Sequence, residues 1–192
     1  MSAGAIMLAR RRMGLIDSLK RLVGAAAPSP VEQLYAAVVT EARRADYYVA
    51  GEVPDSLDGR FDMIVLILSL LLLRLADETG DNARHPAAQL SADLTDRFIT
   101  DMDGNLRQDG IGDQAIPKHM GRMVAALGGR LGAYRDARAD RAAMIEALQR
   151  NLYRGEAVPG AGFVAGEALR LVSQLCATPF ARLAAGSLEP AA

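Results

Sequence analysis

The chain has 192 residues, of which 51% are hydrophobic and 23% are charged. This balance supports one domain with a hydrophobic core and excludes a chain that is disordered by composition. The net charge of −1 gives no overall reason to expect a nucleic-acid partner. The single cysteine, Cys176, excludes an internal disulfide and a cysteine-only metal site, and its apolar neighbours predict a buried structural thiol.

Residues 1–29 are predicted to form a basic amphipathic extension and a linker. Apolar residues from Met13 to Val23 recur at helical spacing, and Asp17 is the one acid among them. Such a helix can lie on an anionic membrane surface, but a frayed terminal helix or a disordered tail fits equally well. No apolar run of signal-peptide length follows the arginines, so a cleaved leader is not expected. The basic residues that would contact the membrane are Arg10, Arg11, Arg12, Lys20 and Arg21.

The most apolar segment runs from Met63 to Leu73, with Ser69 as its one polar residue. As a helix, these residues cover about 16 Å, whereas a bilayer core is about 30 Å thick. Asp62 and Arg74 close the segment at its two ends. A buried central helix of a bundle is therefore predicted. A buried strand is the alternative, but the length and the leucine content favour helix.

The polar segment Pro54 to Asp62 leads into this helix as a turn followed by a charged first turn. Either Asp55 or Asp58 is predicted to cap the helix N-terminus, where a carboxylate is favourable. Arg60 lies between Asp58 and Asp62. These three charges either contact a partner or pair with one another to fix the start of the helix.

Helical periodicity predicts an all-α fold, a single bundle of about six helices preceded by the basic extension. Pro30 is placed in the first turn of the first helix. The helical domain is assigned to residues 30–185 and a tail to residues 186–192. The other predicted helices cover approximately residues 90–110, 117–135, 141–153 and 163–183, with a bend at Pro179 in the last.

The helix over residues 117–135 has two distinct faces. Its polar side carries a basic stripe of Lys118, Arg122 and Arg130, which is most often a solvated face. Its predicted apolar face consists of Met120, Met123, Val124, Leu127, Leu131 and Tyr134.

An acidic cluster, Asp101-x-Asp103-x-Asn105, is similar to the start of a calcium-binding loop. The required glycine is replaced by Leu106, the final glutamate is replaced by Gly112, and the surroundings are helical. Calcium binding is therefore not expected. Asp103 lies four residues before Arg107, which favours an ion pair on the helix surface.

No set of residues indicates catalysis, a metal or a cofactor. The two histidines, His85 and His119, lie far apart and outside any zinc-binding motif. Nucleophile, phosphate-loop and dinucleotide motifs are absent from the sequence, and the loop from Gly155 to Gly162 lacks the lysine and preceding strand of a phosphate loop. A helix-turn-helix is not evident, so recognition of a nucleic-acid sequence is not expected. We therefore expect a non-enzymatic interaction protein.

Several blocks, in order, resemble the ubiquinol–cytochrome c chaperone family, the assembly factors of respiratory complex III. The similarity covers residues 31–155, and the combination of D-G-R-F-D with D-M-D…L-R…G-x-G-D is specific. The blocks are Leu34-Tyr35 to Arg44, Val53 to Met63, Asp101 to Arg107, Gly110 to Asp113, Lys118 to Met120 and Gly129 to Tyr134.

The resemblance implies an all-helical chaperone that binds newly made cytochrome b until haem insertion and complex assembly proceed. It also implies a small partner chaperone and proximity to the ribosome. The expected location is the bacterial cytoplasm, peripheral at the inner membrane, or the matrix side of a mitochondrion. The alternative is a peripheral membrane helical adaptor or lipid-binding bundle unrelated to respiration.

Charged residues of these blocks and of the basic stripe, together with one tyrosine, are predicted to contact the partner or to support the surface that does. These residues are Asp58, Arg60, Asp62, Asp101, Asp103, Arg107, Lys118, Arg122, Arg130 and Tyr134.

Overall fold

The computed structural model describes residues 28–108 and 112–190. These residues form eight helices and no strand, which confirms the predicted all-α fold. Six of the helices have eleven or more residues, in agreement with the predicted number. The basic extension, with its five predicted membrane-surface residues, lies outside the described residues. The helices are α1 (Pro30–Ala42), α2 (Ala45–Val49), α3 (Leu57–Thr79), α4 (Pro86–Gln108), α5 (Ile116–Ala137), α6 (Arg141–Asn151), α7 (Ala161–Ala177) and α8 (Phe180–Ala184).

The centre of the bundle is α3. Every residue from Met63 to Leu73 is buried, including Ser69, because α1, α4, α5 and α7 all pack around this helix. The prediction of a buried central helix is confirmed. In the described part of the chain, no helix combines the length and apolar character needed to cross a membrane.

The start of α3 differs from the prediction. The N-cap is Ser56, whose hydroxyl accepts a hydrogen bond from the Gly59 N–H, so neither Asp55 nor Asp58 caps the helix. The hydroxyl is short enough to reach the third backbone N–H of the helix, which is the usual geometry of a serine cap. A Cβ atom at Gly59 would clash with the carbonyl oxygen of Pro54. The glycine therefore lets the turn fold back against the helix.

The first helix begins with the predicted proline in its first turn. Ser29 caps it: the Ser29 hydroxyl accepts a hydrogen bond from the Glu32 N–H, and the Glu32 carboxylate accepts one from the Ser29 N–H, forming a capping box. The other end of α1 is joined to α7 by a charge network. Arg44 contacts Glu41 and Glu167 at 3.0 and 2.7 Å, which ties the end of α1 to the middle of α7.

Where a bend was predicted, Pro179 divides the C-terminal helix into α7 and α8. Arg74 of α3 donates hydrogen bonds to the carbonyl oxygens of Leu175 and Thr178, and so satisfies the end of α7. The segment after α8, assigned from the sequence to a tail, lies against the domain. Leu188 is buried, and its carbonyl oxygen accepts hydrogen bonds from two side chains at the end of α7.

Two packing predictions were wrong. Cys176 is exposed, because Leu171 and Leu175 face the core and Cys176 is turned about 100° from Leu175 around the helix. Val124 is 41% exposed instead of lying on the apolar face of α5. It lies about 60° around the helix from the buried Leu127, at the edge of the contact with α3.

Candidate functional site

A groove lies between the start of α3, the end of α4 and the part of α5 from His119 to Arg130. Its volume is about 740 Å³. Arg43, at the end of α1, and Arg154, after α6, also contribute to its walls. A second cavity, beside Cys176, has a volume of about 10 Å³ and is too small for more than one water molecule. Of these two cavities, the groove is the one large enough to receive a ligand or a partner.

Apolar side chains from three helices form the floor of the groove. On α3 they recur at the helical spacing of four and three residues, so they lie on one face of that helix. Ile64, Met102 and Leu106 are buried, whereas Leu57 is 69% exposed at the edge. The floor consists of Leu57, Phe61 and Ile64 of α3, Met102 and Leu106 of α4, and Met123 and Ala126 of α5.

Charged side chains surround this floor, with arginines in excess. Five arginines and two aspartates line the groove, an excess of three positive charges. The arginines come from four separate parts of the chain, which only the fold brings together. The charged lining residues are Arg43, Arg60, Arg122, Arg130, Arg154, Asp58 and Asp62.

Asp62 is the buried member of this set, with a side chain only 5% exposed. Burial raises the pKa of its carboxyl group, and the nearby Arg130 guanidinium opposes that shift. Nη1 of Arg130 lies 2.7 Å from Oδ1 of Asp62, although its N–H is not aligned for a hydrogen bond to any described residue. The contact is therefore an ion pair held by charge. The same guanidinium stacks over the ring of Phe61, 5.6 Å from its centroid.

Arg154 lies in the connection after α6, and its side chain lines the groove. Its Nη2 atom lies 2.9 Å from Oδ2 of Asp58 and 3.9 Å from Oδ2 of Asp62. The residue has a φ of 56° and is followed by Gly155 with a φ of 90°, so the chain makes a left-handed turn three residues after the end of α6. Arg154 is not evident from the sequence, because it lies more than 90 residues from Asp58 and Asp62 and no local pattern connects them.

The structure brings five of the ten predicted contact residues into the groove. Arg60 is exposed and pairs with Asp55 at 2.7 Å, and not with either aspartate of its own motif. Arg60 therefore does not form an ion pair with Asp58 or Asp62, which was the alternative to contact with a partner. The five residues are Asp58, Arg60, Asp62, Arg122 and Arg130.

The acidic cluster of α4 divides between two different environments. Asp101 accepts a hydrogen bond from the Tyr35 hydroxyl at 3.1 Å, which ties α4 to α1. Asp103 and Arg107 form the predicted pair, at 2.8 Å, and Arg107 also contacts Asp113 at 2.5 Å. These contacts span the connection from α4 to α5, and none of the four charged residues lines the groove.

The remaining predicted residues lie on α5. Lys118 is exposed outside the groove, and Tyr134 is buried one turn beyond Arg130. Burial raises the pKa of the Tyr134 hydroxyl. The predicted basic stripe is therefore not one solvated face, because Arg130 turns inward to Asp62 while Lys118 and Arg122 remain exposed.

His119 also lines the groove, and its ring contacts the Arg122 guanidinium with Nδ1 2.9 Å from Nη2. His119 was not among the predicted contact residues, although it lies within the Lys118 to Met120 block. The described residues contain no cluster of three or more His, Cys, Asp or Glu side chains that could hold a metal ion. The groove thus offers apolar contact, ion pairs and hydrogen bonds, which are the means of recognising another molecule.

Two comparisons with known proteins find similar proteins. Residues 50–190 match the family described as "Ubiquinol-cytochrome C chaperone", and the match continues past residue 155, where the predicted similarity ended. The crystal structure of the Cbp3 homolog from Brucella abortus is similar, with a TM-score of 0.74 and 29% sequence identity over 98% of this chain and 97% of that chain. Comparison with curated proteins gives no match. The chain belongs to the ubiquinol–cytochrome c chaperone family.

Proposed function

We propose that this protein is a non-enzymatic assembly chaperone of ubiquinol–cytochrome c reductase, that it binds newly made cytochrome b, and that the groove receives this client. The observation that carries the proposal is the position of the D-G-R-F-D block. Four of its five residues, all except Gly59, line the groove. The block that first suggested the family therefore forms one wall of the surface best suited to binding.

The shape and chemistry of the groove support a polypeptide client. Its floor is apolar and includes two methionines, whose flexible side chains adapt to different partners. Its charged rim can align a bound segment without enclosing it. A segment bound on an open surface can leave without local opening of the domain.

The experiment is capture of the tagged full-length protein from a strain that respires through this complex, after brief labelling of new proteins. We expect labelled cytochrome b to co-purify, and we expect a deletion strain to contain less assembled complex. Arg60→Glu changes an exposed groove residue and should reduce capture while the protein stays folded. Arg84→Glu, an exposed arginine outside the groove, is the matched control. Normal levels of the complex in the deletion strain would refute the proposal.

We further propose that the basic extension holds the chaperone at the cytoplasmic side of the inner membrane, near the ribosome and a small partner chaperone. The basic residues from Arg10 to Arg21 suit an anionic lipid surface, at about 1 kcal/mol for each well-placed charge. Flotation with anionic liposomes tests this location. Replacing the five basic residues of the extension by glutamine should abolish flotation, and equal flotation of both proteins would contradict the assignment.

A further inference from the structure

We propose that the groove selects an acidic amphipathic helix of a partner protein, with the apolar face of that helix on the groove floor and its carboxylates beside Arg43 and Arg122. This inference rests on the proposed chaperone function, because it specifies the chemistry of the segment that the groove receives.

The floor has the form that a further helix would fill. Its α3 residues, Leu57, Phe61 and Ile64, make one helical stripe, and α4 and α5 flank that stripe. Three helices with a concave apolar face between them have room for a fourth helix, as in a four-helix bundle. Binding of an amphipathic helix in such a groove is a common mode of recognition. The exposure of Leu57 leaves apolar surface for such a helix to cover.

The charges of the groove determine which amphipathic helix fits. Arg130 and Arg154 contact the two aspartates of the lining, and Arg60 contacts Asp55. Within the described part of the chain, the remaining two lining arginines, Arg43 and Arg122, have no carboxylate partner. They belong to different elements, the end of α1 and the first half of α5. A bound segment with two separated carboxylates would complete both pairs.

Charge also disfavours the two other occupants that this chain could supply. The extension carries five basic residues and one acid within residues 1–27, so it has the same sign as the groove. A symmetric dimer through this surface would place the groove of one copy against the identical groove of the other. Each arrangement brings positive charges together, which acts against binding. An acidic segment of a different protein is the occupant that matches the lining.

The test uses the full-length protein and two designed peptides of about five helical turns (~18 residues). Both peptides carry the same leucine stripe, one with glutamates and one with lysines at the flanking positions. Fluorescence anisotropy at low salt measures binding. We expect the glutamate peptide to bind at least about tenfold more tightly than the lysine peptide, with a difference that shrinks as salt increases.

Variants then locate the interaction. The double variant Arg43→Glu/Arg122→Glu should bind the glutamate peptide about tenfold or more weakly than the wild type does, and should bind the lysine peptide more tightly. Arg135→Glu is the matched control, because Arg135 is exposed on the same helix about 20 Å beyond Arg122. Leu57→Ser should weaken the binding of both peptides while leaving the fold unchanged. Circular dichroism verifies that every variant is folded.

Equal binding of the two peptides, or an equal effect of Arg135→Glu, would overturn the inference. It would also be overturned if a peptide of residues 1–27 displaced the glutamate peptide, or if light scattering showed a dimer that Arg122→Glu dissociates. Capture of cytochrome b by the wild type and by the Arg43/Arg122 double variant alike would refute this inference and leave the proposed function standing. Selective peptide binding without capture of cytochrome b would refute the proposed function instead.

Discussion

The carboxylate of Asp62 and the guanidinium of Arg130 form a buried ion pair that joins the start of α3 to the middle of α5, with Oδ1 and Nη1 2.7 Å apart. The desolvation of two buried charges offsets much of their attraction, so such a pair contributes little net stability. Its effect is geometric. It fixes α5 against α3 at the place where these two helices form the groove, and it holds Arg130 over the ring of Phe61.

We predict that Arg130→Met destabilises the protein by about 3 kcal/mol, because it leaves the Asp62 carboxylate buried without its main partner. Urea denaturation measures the change in the free energy of unfolding. The double variant Asp62→Leu/Arg130→Met should recover most of the loss, since it removes both charges together. Arg122→Met, an exposed change on the same helix, is the control and should alter stability by less than about 0.5 kcal/mol. Equal effects of the two single changes would contradict the structural role of Arg130.

The pH dependence of stability should report the network between α1 and α7. Burial alone would raise the pKa of Glu167, but hydrogen bonds from Arg44 and Arg170 outweigh it and lower the pKa below the ordinary value of 4.5. A carboxyl group with a lowered pKa in the folded state stabilises the protein above its unfolded pKa. That contribution is lost as the pH falls through the folded pKa.

The wild type should therefore be more stable than Glu167→Gln at neutral pH, and the difference should diminish below pH 4.5. Thermal unfolding of both proteins over a range of pH measures this difference. A difference that stays constant down to strongly acidic pH, or that grows as the pH falls, would show that the charge of Glu167 does not support the contact between α1 and α7.

We predict that Gly59→Ala is destabilising by about 1–3 kcal/mol, although glycine to alanine changes within helices usually stabilise. The added Cβ atom would meet the carbonyl oxygen of Pro54, so the turn before α3 would have to move. Gly121→Ala is the control, because a Cβ atom there has no neighbour within 4 Å and should stabilise α5 by up to about 1 kcal/mol. Calorimetry measures the melting temperatures of both variants. If Gly59→Ala and Gly121→Ala shifted the melting temperature in the same direction, the close contact between Gly59 and Pro54 would be contradicted.

The exposed thiol of Cys176 should react in the native protein. A maleimide reagent is expected to label it fully without urea and without loss of helical circular dichroism, because access does not require unfolding. Mass spectrometry of the labelled protein measures the extent of modification. Labelling that occurs only in denaturant would show that the thiol is buried, as the apolar neighbours of Cys176 suggested.

Local patterns in the sequence were sufficient for the six long helices and for the identity of the family. A helix from Met63 to Leu73 is apolar on all sides, so other helices must pack around it. Its central position therefore followed from the apolar composition of this segment. The start of the first helix at Pro30 and the disturbance of the last helix at Pro179 followed from the missing N–H and fixed φ of proline. The D-G-R-F-D block marked one wall of the groove, since residues in one short block necessarily lie close together.

The tertiary structure alone decided which charged residues face one another. Helical periodicity defines the faces of a helix but not the rotation and crossing angle at which it packs against another. Such packing decides that Asp62 pairs with Arg130 and that Arg154 contacts Asp58. It also decides that Asp101 bonds to Tyr35 outside the groove. The sequence by itself determined a helical chaperone of this family, and the packing of α3, α4 and α5 decided where its amphipathic groove lies.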